Sequence, residues 1–169
     1  MTGTVSHSRR SFLLGRAEAA PPLRPPWTTQ AGIEEACTRC GACLQACPEA
    51  ILFAGSGGYP EIRFEAGECT FCGACAEACP EPVFEAARGR HDAFDHIVAI
   101  GAACLAFQGV VCRSCGDVCP DTAITFEPRL GGPPTPRVEA TRCTGCGACI
   151  AACPASAIAP QPAAEARDG

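Results

Sequence analysis

The stretch that decides the fold is Cys37-Thr-Arg-Cys40-Gly-Ala-Cys43-Leu-Gln-Ala-Cys47-Pro48, because its spacing, C-x2-C-x2-C-x3-C-P, returns along the chain. The same spacing stands at residues 69–80 and again at 143–154. A further unit, at 112–120, departs from it with three cysteines, and Cys104 lies upstream of them. The 16 cysteines of the 169-residue chain therefore fall into four groups of four.

Two other uses of so many cysteines, disulfide bridges and structural zinc, fit this spacing poorly. A disulfide scaffold gives no reason for a proline after each fourth cysteine. A structural zinc site prefers two well-separated Cys-x2-Cys pairs. Three cysteines within seven residues, followed by a fourth that ligates the neighbouring cluster, are typical of cubane iron–sulfur proteins. The glycine after the second cysteine, such as Gly41, lets backbone N–H groups approach sulfur. The sequence therefore predicts iron–sulfur clusters.

The cross-ligation rule predicts four [4Fe-4S] clusters when the first unit is paired with the second and the third with the fourth. Cys104 is the uncertain ligand, because it could instead be a buried core thiol on the apolar segment 97–107. Site 1 takes Cys37, Cys40, Cys43 and Cys79; site 2 takes Cys69, Cys72, Cys75 and Cys47; site 3 takes Cys104, Cys112, Cys115 and Cys153; site 4 takes Cys143, Cys146, Cys149 and Cys119.

The repeat predicts an α+β fold of two tandem bacterial-type dicluster [4Fe-4S] ferredoxin-like units, behind an irregular N-terminal arm. Large apolar side chains are few, so we expect folding to need cluster insertion. Trp27 is expected to anchor the arm on the first unit. The expected divisions are an Arg/Pro-rich arm at 1–30, a first unit at 31–88, a bridging segment at 89–103 with a helix from Asp92 onward, a second unit at 104–159 and a disordered tail at 160–169. Short strands are expected at 50–53, 61–64, 123–126 and 137–139.

Composition and charge exclude several classes of function. Thirteen arginines, no lysine and 18 acidic residues give a net charge of −5 without a basic patch, so nucleic-acid binding is not expected. No apolar run reaches the length of a membrane span. His91 and His96 are interpreted as solvated helix residues, and neither a phosphate-binding loop nor a flavin fingerprint is present. We expect no catalytic residue, because a cluster capped by four thiolates moves an electron but has no position open to a substrate.

The N-terminus carries Ser8-Arg9-Arg10-Ser11-Phe12-Leu13, which looks like a twin-arginine export signal. Such a signal needs an apolar segment of about 7–15 residues after the arginines, and here the uncharged stretch ends at Arg16. We therefore expect the protein to stay in the cytoplasm, where a reducing environment disfavours disulfides.

With its arm and motifs, the sequence resembles the NapF family of ferredoxin-type proteins over nearly its whole length. The motifs that carry the resemblance are Arg24-Pro25-Pro26-Trp27, Gly67-Glu68-Cys69-Thr-Phe-Cys72-Gly, and Cys104 followed by Gly109-Val-Val-Cys112-Arg-Ser-Cys115.

The resemblance implies a cytoplasmic protein with four [4Fe-4S] clusters. It also implies that the protein acts on the precursor catalytic subunit of periplasmic nitrate reductase before that subunit is exported, with Arg9 and Arg10 as a candidate contact. Two functions stay open: a maturation factor that gives electrons or a cluster, and a redox subunit that relays electrons within a standing oxidoreductase complex. A freely diffusing ferredoxin would leave the arm and the second half unexplained.

Overall fold

In the computed structural model, short helices alternate with two-stranded sheets along the residues that the structure describes, which are 21–65, 67–86 and 88–163. The short elements follow from the sequence, because glycines, prolines and cluster-motif cysteines interrupt every apolar run. The helices are α1 (Gln30–Ala36), α2 (Ala42–Ala46), α3 (Ala74–Glu77), α4 (Ser114–Asp117) and α5 (Ala148–Ala151), and the strands are β1 (Leu52–Ala54), β2 (Pro60–Ile62), β3 (His96–Ile100), β4 (Ile124–Glu127), β5 (Thr135–Val138) and β6 (Ile158–Pro162).

Two antiparallel hairpins occupy equivalent places in the two halves of the chain. In the first, β1 pairs with β2 so that Leu52 lies opposite Ile62, and a 3-10 turn at Ser56–Gly58 closes it. In the second, β4 pairs with β5, with Ile124 opposite Val138. The four strands expected from the sequence are confirmed, with shifts of one or two residues at their ends.

The third sheet was not expected from the sequence. Strand β3 pairs antiparallel with β6, which places Ile100 opposite Ile158 and His96 opposite Pro162. The prediction of a helix from Asp92 onward is therefore wrong, and so is the prediction of disorder for Pro160–Pro162; residues 164–169 lie outside the described residues. The β-branched residues of His96–Ile100 favour a strand, and β6 supplies the backbone hydrogen bonds that such a strand needs.

The apolar cores are small, and cysteines form part of each. The largest two lie one in each half, and Ile150 packs against both of them; a third, smaller cluster surrounds Cys104. The first contains Ile51, Leu52, Ile62, Phe64 and Cys75, and the second contains Val98, Cys115, Ile124, Cys149 and Ile158.

Trp27 anchors the segment before α1, as predicted from the sequence. Its side chain is 3% exposed, and its indole Nε1 donates to the carbonyl oxygen of Gly89 at 2.8 Å. Its backbone N–H donates to the Ala93 carbonyl at 2.7 Å, and the Glu85 N–H donates to the Trp27 carbonyl at 2.8 Å. Trp27 thus ties this segment to the end of the first half and to the bridging segment. The exact unit boundaries given above stay a prediction.

Within the described ranges, none of the helices has the length and apolar character needed to cross a bilayer.

Candidate metal centres

The structure brings each predicted set of four cysteines around one cavity. All 16 cysteines are free thiols. The first cavity is lined by Cys37, Cys40, Cys43 and Cys79; the second by Cys47, Cys69, Cys72 and Cys75; the third by Cys104, Cys112, Cys115 and Cys153; and the fourth by Cys119, Cys143, Cys146 and Cys149.

Four short helices, α2 to α5, each contain one cysteine that lines one cavity, and the cysteine at or just beyond the C-terminal end of the helix lines the neighbouring cavity. Helix α2 places Cys43 at site 1, and Cys47 at its C-terminal cap lines site 2. Helix α3 does the reverse, since Cys75 lines site 2 and Cys79 lines site 1. A separation of four residues is about one helical turn, or roughly 6 Å of rise, which is enough to reach two neighbouring cavities. Helices α4 and α5 repeat this exchange with Cys115, Cys119, Cys149 and Cys153.

The glycine after the second motif cysteine adopts a left-handed backbone. Gly41, Gly73 and Gly147 have φ of 78°, 81° and 86°, and each is the residue from which its helix begins. This conformation costs little for glycine and is strained for other residues. In the irregular unit the equivalent position is Arg113, with φ −134° and ψ 4°, so the chain enters α4 by a different path. The irregular unit therefore differs from the others in two ways: in its backbone at Arg113 and in the position of Cys104, which lies upstream of Cys112.

A second turn follows the fourth cysteine and its proline. Ala50, Thr122 and Ser156, each three residues after a fourth cysteine, have positive φ of 51°, 47° and 47°. In two of these turns the next backbone N–H is directed back to the cysteine: Ala123 N–H donates to Cys119 Sγ, and Ala157 N–H donates to Cys153 Sγ, both at 3.3 Å. A donor at sulfur favours the thiolate and tunes the metal that it binds.

The buried thiols are poor acids without metal. Burial, together with neighbouring Cys79 and Cys37, raises the pKa of Cys43 to about 11. Burial and neighbouring cysteines likewise raise the pKa of Cys75 and of Cys149 to about 12. At neutral pH these groups are therefore protonated, and metal binding must release their protons.

The donor set fits an iron–sulfur cluster better than a single ion. Over residues 21–65, 67–86 and 88–163, no three His, Cys, Asp or Glu side chains come close enough to share one metal ion. Four thiols line each cavity, which suits a cubane that offers every thiolate its own iron. A tetrahedral zinc site would need four ligands at about 2.0–2.3 Å from one centre.

Cys104 lies in the wall of site 3 and is only 9% exposed. It packs with Ala106 and Ala157, and Cys153 lies against the same small cluster. Its backbone N–H donates to the Gly101 carbonyl at 3.0 Å, which fixes the turn that carries it. The structure therefore brings Cys104 to the other three cysteines of site 3, and its ligation stays a prediction.

The sequence missed a set of aromatic residues between the two halves. His96 is 5% exposed, and its Nε2–H donates to the Gly145 carbonyl at 3.1 Å, so its interpretation as a solvated helix residue is wrong. Burial lowers its pKa, which favours the neutral ring. His91 is exposed, but it lies in a turn. Phe94 packs on His96 with ring centroids 4.7 Å apart. The first glycine in the last motif, Gly145, is the one sequence signal of this close approach, because a Cβ there would lie 2.7 Å from the His96 carbonyl.

The charged residues beside the motifs make local surface contacts. The guanidinium group of Arg39 lies 5.4 Å from the centre of the Tyr59 ring, and that of Arg113 lies 4.5 Å from the centre of the Phe126 ring. Arg142 donates to the Asp121 carbonyl at 2.9 Å.

Comparison with known proteins supports the cysteine pattern. A family model described as a 4Fe-4S dicluster domain matches residues 36–83 and 110–157. The chain is 46% identical over 156 residues to the ferredoxin-type protein NapF of Escherichia coli (strain K12), a match that covers 91% of this chain and 94% of that protein. It is 44% identical to NapF of Haemophilus influenzae, over 89% of this chain and 91% of the relative. It is 36% identical to the ferredoxin-type protein NapG of Haemophilus influenzae, over 81% of this chain and 57% of the relative.

Proposed function

Because the chain belongs to the NapF family of ferredoxin-type proteins, we propose that it carries four [4Fe-4S] clusters and serves the periplasmic nitrate reductase system from the cytoplasm. In this role it delivers electrons or whole clusters to the precursor of the catalytic subunit before that subunit is exported. The observation that supports the proposal is the set of four cavities, each lined by four cysteines.

The residues of each site have separate tasks in this proposal. A bound [4Fe-4S] cluster supplies one-electron chemistry. The cysteine thiolates hold the irons, while the N–H groups of Ala123 and Ala157 stabilise thiolate charge at Cys119 and Cys153. With four thiolates at a cluster, each iron is fully ligated, so the protein has no iron position for a substrate and acts as an accessory protein.

The N-terminal arm is proposed as a contact for the precursor. Arg9 and Arg10 lie outside the described residues, and their place in the proposal comes from the family resemblance and from the positive charge of the pair. Arginine forks bind carboxylates in two-point contacts, so an acidic patch on the partner is the expected counterpart.

The cluster content is tested by anaerobic purification followed by iron, sulfide and zinc analysis and visible absorption spectroscopy. We expect about 16 irons per chain from four cubes. The control is Ser114→Ala. Ser114 lies between two site 3 cysteines and is not a ligand, so the iron content of this variant should equal that of the parent protein. Roughly four zinc ions per chain without visible absorption would refute the assignment of the sites.

The partner is tested by pull-down with the precursor and with the mature catalytic subunit, each at equal concentration. We expect stoichiometric capture of the precursor, weaker capture by the Arg9→Ala/Arg10→Ala variant, and unchanged capture by Arg129→Ala, which alters an exposed arginine of the second half. Stoichiometric association with the mature enzyme and none with the precursor would instead favour a relay subunit of a standing complex.

A further inference from the structure

The contact between the two halves is made by residues of the cluster motifs themselves. We infer that the four cysteine sites lie in one continuous row, in the order site 1, site 2, site 4, site 3, and that a junction at Cys69 and Cys146 sets its middle step. This inference rests on the proposed function for the assignment of four cluster-holding sites. It goes beyond that function, because two unconnected diclusters would satisfy the proposal equally well.

Within each half, the neighbours in the row share their helices. Helices α2 and α3, together with the cysteine at or just beyond the end of each, give one cysteine to site 1 and one to site 2. Helices α4 and α5 do the same for sites 3 and 4. Cys115, a site 3 residue, and Cys149, a site 4 residue, are buried in the same apolar core, so these two cavities are close. The two outer steps of the row, 1 to 2 and 4 to 3, follow from this sharing.

The middle step is a direct backbone contact between two cysteines of different halves. The N–H of Cys69, a site 2 residue, donates to the carbonyl oxygen of Cys146, a site 4 residue, at 2.8 Å. One residue of site 2 and one of site 4 are thus joined by a single hydrogen bond, so these are the two sites that meet.

Side-chain packing surrounds this hydrogen bond on both sides. The Phe64 ring lies so close to Gly147 that a Cβ there would be 2.1 Å from Phe64 Cδ1. Ile150, which follows the site 4 residue Cys149, packs against the apolar core that contains Cys75 and is flanked by Cys47 and Cys69. Those three cysteines all line site 2.

A chain of aromatic rings follows the same junction. Phe71 stands between the site 2 residues Cys69 and Cys72, and its ring centroid is 5.9 Å from that of Phe94. Phe94 packs on His96 at 4.7 Å, and His96 is hydrogen-bonded to Gly145, the residue before Cys146. The packing therefore runs without interruption from the second motif to the last motif, which fixes the distance between sites 2 and 4.

The order predicts how many cluster neighbours each site has, and electron paramagnetic resonance (EPR) measures this on the fully reduced protein. A reduced [4Fe-4S] cluster carries one unpaired spin, and spins on adjacent clusters broaden each other's signals. Cys40 and Cys72 are a matched pair, since each is the exposed second cysteine of its motif. Cys40→Ala removes an outer site, and Cys72→Ala removes an inner one.

Cys72→Ala leaves three clusters, and site 1 then has no adjacent cluster. We therefore expect about one of the three remaining spins to give an unbroadened signal. For Cys40→Ala we expect none, because sites 2, 4 and 3 remain adjacent. Cys112→Ala, which removes site 3, should also give no unbroadened spin. An isolated spin in Cys40→Ala would show that the halves do not meet at site 2, and one in Cys112→Ala would show that they do not meet at site 4; either result overturns the row.

Two further measurements keep the inference separate from the proposed function. Iron content should be about 16 per parent chain and about 12 in each variant; a parent chain with far less iron refutes the proposed function rather than the order. Hydrogen exchange on the unaltered holoprotein tests the junction without any substitution. Protection of the Cys69 amide supports the junction, and exchange at the rate of a solvent-exposed amide overturns it, whether or not the variants fold.

Discussion

Replacing Gly147 by alanine tests the packing between the halves against a control of the same motif position. An alanine Cβ at Gly147 would lie 2.1 Å from Phe64 Cδ1 and 2.3 Å from Phe64 Cγ. At Gly41 the backbone has nearly the same left-handed φ, 78° against 86°, and nothing lies within 4 Å of the new Cβ. The two substitutions therefore share their backbone cost and differ in what the methyl group meets.

The expected free energies follow from these two contributions. A left-handed non-glycine residue costs roughly 1–2 kcal/mol, so Gly41→Ala should lower the free energy of unfolding by about that amount. Overpacking against the buried Phe64 ring adds about 1–3 kcal/mol, so Gly147→Ala should lower it by about 2–5 kcal/mol. When the contact breaks before the rate-limiting step of unfolding, this difference of about 1–3 kcal/mol makes Gly147→Ala unfold roughly 5 to 150 times faster than Gly41→Ala.

The rate of cluster loss is the suitable measurement, because unfolding that releases a cluster is not reversible. Visible absorbance is followed anaerobically in guanidinium chloride for the parent protein, both alanine variants and the double variant Phe64→Leu/Gly147→Ala. We expect Gly147→Ala to bleach fastest and the smaller leucine side chain to restore part of the difference. Equal rates for Gly41→Ala and Gly147→Ala, without rescue by leucine, would refute the packing of Phe64 on Gly147.

Three other predictions follow from single positions. Cys104→Ser should reduce the iron content from about 16 to about 12 per chain by emptying site 3, and an unchanged iron content would remove Cys104 from the ligands. Ala50→Gly should raise the thermal midpoint, since it removes left-handed strain of about 1–2 kcal/mol at φ 51° and adds back about 0.5–1 kcal/mol of unfolded-state entropy. The control Ala31→Gly, within α1, should lower that midpoint, and two shifts of the same sign would contradict the strain argument. Reconstitution with iron and sulfide should accelerate from pH 7 to pH 8, because the thiolate fractions of Cys75 and Cys149, whose pKa burial raises to about 12, increase about tenfold; a rate independent of pH would contradict control by thiol ionisation.

Three of the four cysteines at each site lie close together in sequence, which is why the sequence predicted them as a set. The fourth comes from the paired unit and was predicted by the cross-ligation rule. Within one motif a turn of three or four residues sets the positions of three thiols, and the helix after it sets the fourth. The strands on either side of Gly57 and Gly131 were predicted for the same reason, because a turn signal and its two strands are neighbours in sequence. Even the irregular unit kept this property, since Cys104 reaches site 3 through a turn fixed by its own N–H bond to Gly101.

The parts that the sequence did not predict depend on distant partners. The segment His96–Ile100 becomes a strand because Ile158–Pro162 pairs with it, and a short apolar run carries no signal that separates a buried helix from a strand. His96 was placed in solvent because its partner, the Gly145 carbonyl, belongs to the last motif. The contact between Phe64 and Gly147 is equally non-local. The motif of Gly147 indicates only that this glycine has a positive φ, and it carries no signal of the ring that packs against it.

The pairing of β3 with β6 also has a consequence for the order of events on the ribosome. The first half can close sites 1 and 2 once residue 79 has been made, since all eight of their cysteines then exist. Strand β3 is synthesised soon afterwards but must wait for β6, and at about 5–20 residues per second this delay lasts a few seconds. During that time Cys104, Cys112 and Cys115 are present without Cys153. The eight cysteines of sites 1 and 2 therefore exist before Cys153 completes site 3, and under the proposed function the first half is available for cluster loading before the second.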